Sequence, residues 1–257
     1  MIYGFLHQGS GAGNQLHRMV ATRIKALQLT TDWRLIWNPD ESGKPQGFKC
    51  ESFMQFDNSK IVQYNDLPPI ELIQWTEKKI VDERGIDIRS YDPEWSFLED
   101  NTVIEGEFQS ELYWEEYEAE VNEWLKVEPL EMPDYVCVIG FRGGEFALYP
   151  DLFLTKDYYD EAIKKMRDIN PNMRFEVHTD DEQLARQCFP EFKVIHDIGL
   201  NWRSMRYAKY AIIANSSFFI FPRWLSRGFT IAPRYWGRRN LGIWSLPQNY
   251  YKRFLYI

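Results

Sequence analysis

The regular alternation of the second half constrains this chain most. Between residues 135 and 232, strand-like and helix-like segments take turns: strand 135–141, helix about 156–168, strand 173–178, helix 181–187, strand 192–195, helix 201–209, strand 210–214, helix 216–226, strand 228–232. Strands separated by helices pair in parallel, because each helix carries the chain back to the edge it left. The pattern predicts a doubly wound α/β sheet, and such sheets bind ligands beyond the carboxyl ends of their strands. The run Val136–Phe141 is continuously apolar, as befits a strand covered on both faces.

The first half has a similar opening. Ile2–His7 reads as a buried strand, Gly9-Ser-Gly-Ala-Gly13 as a glycine-rich turn, and a helix starts at Asn14 or Gln15 and runs to about Leu29. Its apolar positions Leu16, Met19, Val20, Ile24 and Leu27 fall at helical spacing. Trp33–Trp37 reads as a second strand, Asn38–Gly47 as a turn-rich loop, and residues 48–100 as a mixture of short elements. Val103–Phe108 reads as a strand before a helix over about Ser110–Leu125, whose glutamates form a solvated face.

Between the halves, Val127–Asp134 carries two prolines and reads as a linker. The charge changes sign there. Residues 1–134 hold 12 Lys+Arg against 26 Asp+Glu, residues 135–257 hold 18 against 12, and no acid follows Asp197. The expectation is two domains with different ligands, over 1–130 and 131–257, with the basic half the natural host for an anion.

Composition excludes several classes. Cys50, Cys137 and Cys188, and the four histidines, lack metal-ligand spacing, so no metal and no cofactor are expected. The N-terminal Met1-Ile-Tyr-Gly-Phe-Leu is too short and uncharged for a signal peptide. No apolar run approaches the roughly 18 residues of a transmembrane segment. A soluble cytoplasmic protein is expected, a description compatible with peripheral contact at a membrane. With a net charge of −8 and no recognisable reading motif, nucleic acid is not an expected partner.

Four strand ends carry polar or glycine turns. After Val136–Phe141 come Arg142-Gly143-Gly144-Glu145. An arginine fork suits phosphate oxygens, and glycines admit a close approach to the backbone. The loop Gly11-Ala-Gly13-Asn14-Gln15 completes neither a Walker nor a dinucleotide fingerprint, which counts against a Rossmann-type oxidoreductase. It could serve an anion or a tight turn. His178-Thr-Asp180-Asp181 could line a site, or Thr179 or Asp181 could cap the next helix. Asn215-Ser216-Ser217-Phe218 leaves the same two readings open. Their convergence, three of the four in the basic half, is what a nucleotide diphosphate needs.

In this order the segments resemble the α-1,2-fucosyltransferase family and its wider fucosyltransferase relatives. Gly11–Gln15 is similar to that family's Gly-x-Gly-Asn-Gln loop, and Gly106-Glu-Phe-Gln-Ser-Glu-Leu-Tyr113 to its Gly-Tyr-(Phe/Trp)-Gln-Ser-Glu-x-Tyr segment. Gly140-Phe-Arg-Gly-Gly-Glu145 stands where the family has His-x-Arg-Arg-Gly-Asp. Leu154–Tyr159 resembles the opening of the family's next helix, Phe175–Asp181 its Phe-x-x-Phe-Ser-Asp-Asp strand, and Ile212–Phe218 with Trp224-Leu225 and Ile231-Ala-Pro233 its C-terminal signature. The matches span residues 9 to about 236.

The resemblance implies a GT-B fold, two Rossmann-like doubly wound domains facing a cleft, the acceptor-side one over 1–130 and the nucleotide-sugar-binding one over 131–257. It implies inverting, metal-independent transfer of L-fucose from GDP-fucose to a sugar hydroxyl of a glycan acceptor. It places Arg142 on the donor's β-phosphate and Ser216, Ser217 and Phe218 against the nucleotide. The chain departs from the pattern at two positions that help hold the nucleoside in relatives. The motif histidine is Gly140, and the aspartate usually found fifteen residues before the first serine is Asn201. These departures leave open another nucleotide sugar, or a non-catalytic nucleotide- or glycan-binding relative. Arg142 and the helix starts near Asn14 and Ser216 are expected to stabilise the leaving diphosphate. Glu145 is the first candidate for accepting the acceptor's proton, with Asp180, Asp181 and His7 behind it.

Overall fold

A computed structural model of the chain describes residues 1–7, 9–37, 48–67, 71–78, 91–234 and 251–257. The turn-rich loop expected over 38–47 lies outside them, as does part of the 48–100 stretch. The chain divides into two compact units, one running from Met1 to Lys126 and the other starting at Val127.

In the N-terminal unit, β1 (Ile2–Leu6), α1 (Ala12–Gln28), β2 (Trp33–Trp37), β3 (Ile61–Gln63), β4 (Ile73–Thr76) and β5 (Thr102–Glu105) build a parallel five-stranded sheet of order β3-β2-β1-β5-β4. Sequence-adjacent β2 lies on one side of β1 and distant β5 on the other, so the strand order reverses at β1. Helix α1 packs on one face. Where a Cβ would stand on Gly4, Thr22 of α1 already sits, so only glycine lets helix and strand come this close. Thirteen of the 17 residues of α1 are buried, so its polar side chains must find partners within the protein.

The expected helix over Ser110–Leu125 is a correction. Two 3-10 turns, Glu111–Tyr113 and Glu115–Tyr117, precede a short α2 (Glu118–Trp124). Consecutive Tyr113 and Trp114 are both buried, and one stripe of an α-helix cannot bury two successive large side chains. The tighter turns bring both inside, where Tyr113 packs edge-on to Trp95 and Phe108 at ring-centroid distances of 5.0 and 5.4 Å.

The second unit carries β6 (Val136–Phe141), α3 (Lys156–Ile169), β7 (Arg174–Thr179), α4 (Glu182–Cys188), β8 (Lys193–Ile195), α5 (Ile198–Tyr207), β9 (Tyr210–Ile212), α6 (Ile220–Ser226), β10 (Phe229–Ala232) and β11 (Phe254–Tyr256). Its parallel sheet runs β11-β10-β9-β6-β7-β8. All six residues of β6 are buried, as their apolar run requires. At its end Phe141 packs edge-on to Phe153 and Phe189, with centroids 5.9 and 5.4 Å apart. The segment after Lys126 belongs to this unit: Tyr207 donates to the Val127 carbonyl at 3.1 Å, and Arg203 to the carbonyls of Glu128 and Pro129 at 2.9 Å.

Candidate functional site

Strand β6 is flanked by β7 on one side and β9 on the other, and the chain winds outward from it in both directions. That reversal opens a crevice at the carboxyl ends of the strands, where open α/β sheets take their ligands. Three of the turns singled out in the sequence leave these three strands: Arg142–Glu145 from β6, Asp180-Asp181 from β7, and Asn215–Phe218 just beyond β9.

Register explains how the first two meet. Phe141 pairs with Thr179, so Arg142 and Asp180 leave neighbouring strands side by side. The Arg142 guanidinium donates through Nη1 to Asp180 Oδ2 and through Nη2 to Glu145 Oε1, the latter at 3.0 Å, and lies over the Phe146 ring at 5.0 Å. The other Asp180 oxygen accepts from the Gly143 amide at 2.9 Å. Asp180 therefore clamps the loop at two points. Asp181 caps α4 by accepting from the Leu184 amide at 3.0 Å, a contact worth about 1 kcal/mol.

The two glycines have a local reason. A Cβ on Gly143 would stand 2.6 Å from Asp181 Cβ, and one on Gly144 2.6 Å from Asp180 Oδ2. Gly144 also has a positive φ of 42°. What approaches this backbone closely is the pair of aspartates.

The guanidinium faces two carboxylates, and they hold it unequally. Glu145 is 68% exposed, and such a pair is worth about 1 kcal/mol or less, so it is the easier of the two to break. Asp180, held by its second bond to the Gly143 amide, keeps the Arg142 fork aimed.

The two departures from the fucosyltransferase pattern are built into the packing. A Cβ on Gly140 would stand 2.8 Å from Phe219 Cζ and 2.9 Å from Met205 Cε, so the volume of a larger residue is already filled. Asn201, buried on α5, donates to the Thr179 carbonyl at 3.0 Å and places its oxygen 2.9 Å from His178 Nδ1. With the Asn201 amide nitrogen spent on Thr179, its oxygen must accept, so Nδ1 carries the proton. His178 Nε2 then presents a buried lone pair with no hydrogen-bond partner. Burial pushes this imidazole down to about 4 against the opposing effects of Asn201 and Glu176, so it is neutral near pH 7.

The Asn215–Phe218 turn is largely committed to structure. Asn215 donates to the Leu152 carbonyl at 2.9 Å, and the Ser216 amide to the Ala214 carbonyl at 2.8 Å. The expected single helix from 216 is a 3-10 turn (Ser217–Phe219) followed by α6. Ser217 and Phe218 are half-buried, with Phe218 edge-on to Trp202 at 5.5 Å.

The remaining predicted residues lie in the N-terminal unit. Gly11 is the N-cap of α1, with extended backbone and no side-chain cap, and Gly13 and Asn14 stand in a first turn without acids. Such an end offers amide donors and the positive end of the helix dipole. Asn14 accepts from Gln109 at 2.9 Å, joining two motifs distant in sequence, and buried Gln15 accepts from the Lys49 amide at 2.9 Å. The sequence reading missed Arg18, which donates to the Gly106 carbonyl and Glu107 at 2.8 Å and also to Ser10. A helical arginine two turns past a glycine loop carries no signal of that role.

No family model matches the sequence, and no curated protein matches it. Among solved structures, the fucosyltransferase NodZ from Bradyrhizobium in selenomethionine form is similar at a TM-score of 0.50 and 14% identity, over 89% of this chain and 94% of that one. POFUT1 in complex with GDP-fucose is similar at a TM-score of 0.47 and 10% identity, covering 88% of this chain and 93% of that one. The E. coli heptosyltransferase WaaC with ADP is similar at 0.46 and 11%, covering 100% and 92%. Two α/β units, each built on a parallel sheet, make this a GT-B-like fold. No helix among the described residues is long and apolar enough to cross a membrane.

Proposed function

We propose that the protein is a glycosyltransferase that takes a nucleotide sugar, with GDP-fucose the first candidate donor and a glycan hydroxyl the acceptor. The observation that carries this reading is the bonding of Arg142 to Asp180 at the carboxyl ends of β6 and β7, beside β9 and the Asn215–Phe218 turn that follows it, where the strand order reverses. Arg142 binds the donor's diphosphate and stabilises the charge that develops as the bond to the sugar breaks. Removing one such donor typically slows turnover roughly 100- to 1000-fold. Glu145, paired with the guanidinium at 3.0 Å, gives way to the phosphate. Inverting, metal-independent chemistry is part of the proposal, on the strength of the family resemblance, as is an acceptor-side role for the N-terminal unit. The fold shared with a solved fucosyltransferase supports the same reading.

A second reading, transfer from a different nucleotide sugar, is favoured by the filled space at Gly140 and by Asn201's commitment to His178 and Thr179. Binding of GDP, UDP, CDP, dTDP and NAD by calorimetry, without and with magnesium, separates the readings. Metal-free GDP binding is expected. Preference for another diphosphate keeps the transferase and changes the donor, NAD binding alone points to an oxidoreductase, and silence with every compound removes the proposal.

A further inference from the structure

Asp180 grips the Arg142 loop at two points, and the backbone that carries Asp180 is itself gripped on both sides. The Thr179 carbonyl before it accepts from Nδ2 of Asn201, on α5, at 3.0 Å. The Asp181 amide after it donates to the Thr179 hydroxyl at 2.9 Å. The planar peptide between Thr179 and Asp180 is thus fixed on its carbonyl side by an amide from another element. The direction of that amide is settled too. His178 donates through Nδ1 to Asn201 Oδ1 at 2.9 Å, which keeps the nitrogen turned to the strand. Asn201 and His178 are both buried, where a hydrogen bond left unmade is costly. The Arg142–Asp180 pair is partly exposed, and an exposed pair orients weakly. The buried bond behind it supplies the orientation that the outer pair lacks.

We propose that Asn201 is a positioning residue for diphosphate binding: it pins the end of β7 so that Asp180 holds the Arg142 fork ready for phosphate oxygens. The inference rests on the transferase reading above. Its contacts stay within the second unit, running from α5 through the end of β7 to the loop after β6. Asn201→Asp keeps the shape of the side chain and removes the donor. A carboxylate oxygen then faces the Thr179 carbonyl, and their repulsion loosens Asp180. The position acts on the phosphate end of the donor, through Arg142, and not on the base.

The test uses the full chain, with GDP and inorganic pyrophosphate as calorimetric probes. Hydrogen exchange of the Gly143 amide, followed by NMR in the protein alone, reads the loop without any ligand. Asn201→Asp should speed that exchange and weaken both probes by the same factor, roughly 2- to 10-fold. Asn201→Ala removes the donor without adding a charge and gives the same readings if the buried carboxylate unfolds the chain. In an Asp180→Ala background either substitution should weaken the probes no further, because both act on one loop. A merely structural role would lower stability and leave the losses additive. Unchanged Gly143 exchange in a folded variant, additive losses, or GDP binding that changes while pyrophosphate binding does not, in a protein whose wild type binds both probes, overturns the positioning role alone. The last of these results would make Asn201 a nucleoside contact. A wild type that binds neither probe overturns the transferase reading, and this inference with it.

Discussion

Arg18 and Arg142 each stand near a glycine-containing turn at the carboxyl edge of a parallel sheet, yet their settings differ sharply. Arg18 is 2% exposed, and its donors are spent on Ser10, the Gly106 carbonyl and Glu107. Arg142 is 26% exposed and faces one fixed carboxylate and one displaceable one. Arg18 fastens a loop to a helix, whereas Arg142 has one partner that solvent already reaches. An arginine beside a glycine turn is therefore no phosphate site by itself. Accessibility and the mobility of its present partners decide.

Substitutions at the two arginines should break the comparison in opposite directions. Arg142→Lys keeps the charge and loses the planar fork. Transfer should fall roughly 100- to 1000-fold, while the unfolding free energy from urea denaturation changes by less than about 1 kcal/mol because its pairs are partly exposed. Arg18→Met should do the reverse at the level of the fold. It strands Glu107 and the Gly106 carbonyl and should cost about 3 kcal/mol, read by urea denaturation of the N-terminal unit. Equal stability losses at the two positions would contradict the distinction.

The buried imidazole of His178 tests how the second unit is packed beneath these turns. Its value in the fold, about 4, lies below the ordinary 6.5. The unfolded chain therefore binds the proton first as pH falls. The stability contribution is complete above about 6.5 and drains away between 6.5 and about 4. The loss should reach about 3 kcal/mol, and His178→Gln should flatten that limb of the stability profile. An unchanged limb would place the titration elsewhere. The smallest effect belongs to Gly140→Ala. Crowding against Phe219 and Met205 should cost about 1–3 kcal/mol, and a Phe219→Leu background should recover part of it. A neutral Gly140→Ala would show that the space is open after all.

Much of the architecture was legible because its signals are local. The alternation after 135, the apolar run of β6 and the helical spacing of α1 each announce their element. Strands β3, β4 and β11 were not legible. They are three or four residues long, lack a continuous buried run, and exist as strands through pairing with partners elsewhere in the chain. Helix α5 begins at Ile198, ahead of the expected 201, because Asp197 accepts from the Leu200 amide and caps it there. In the candidate site the strand-end residues were readable one by one, but their relations were not. That Asp180 holds Arg142 follows from the adjacency of β6 and β7, and that Gly140 faces Phe219 follows from how the turn after β9 packs on the sheet.

The central claim is that Arg142, half-buried at the end of β6, is the anchor for a nucleoside diphosphate. Calorimetric titration of GDP without metal into the wild type and Arg142→Ala tests it most directly. Binding to the wild type and loss of that binding in a folded Arg142→Ala variant is the predicted result. GDP binding of equal strength in both would contradict it.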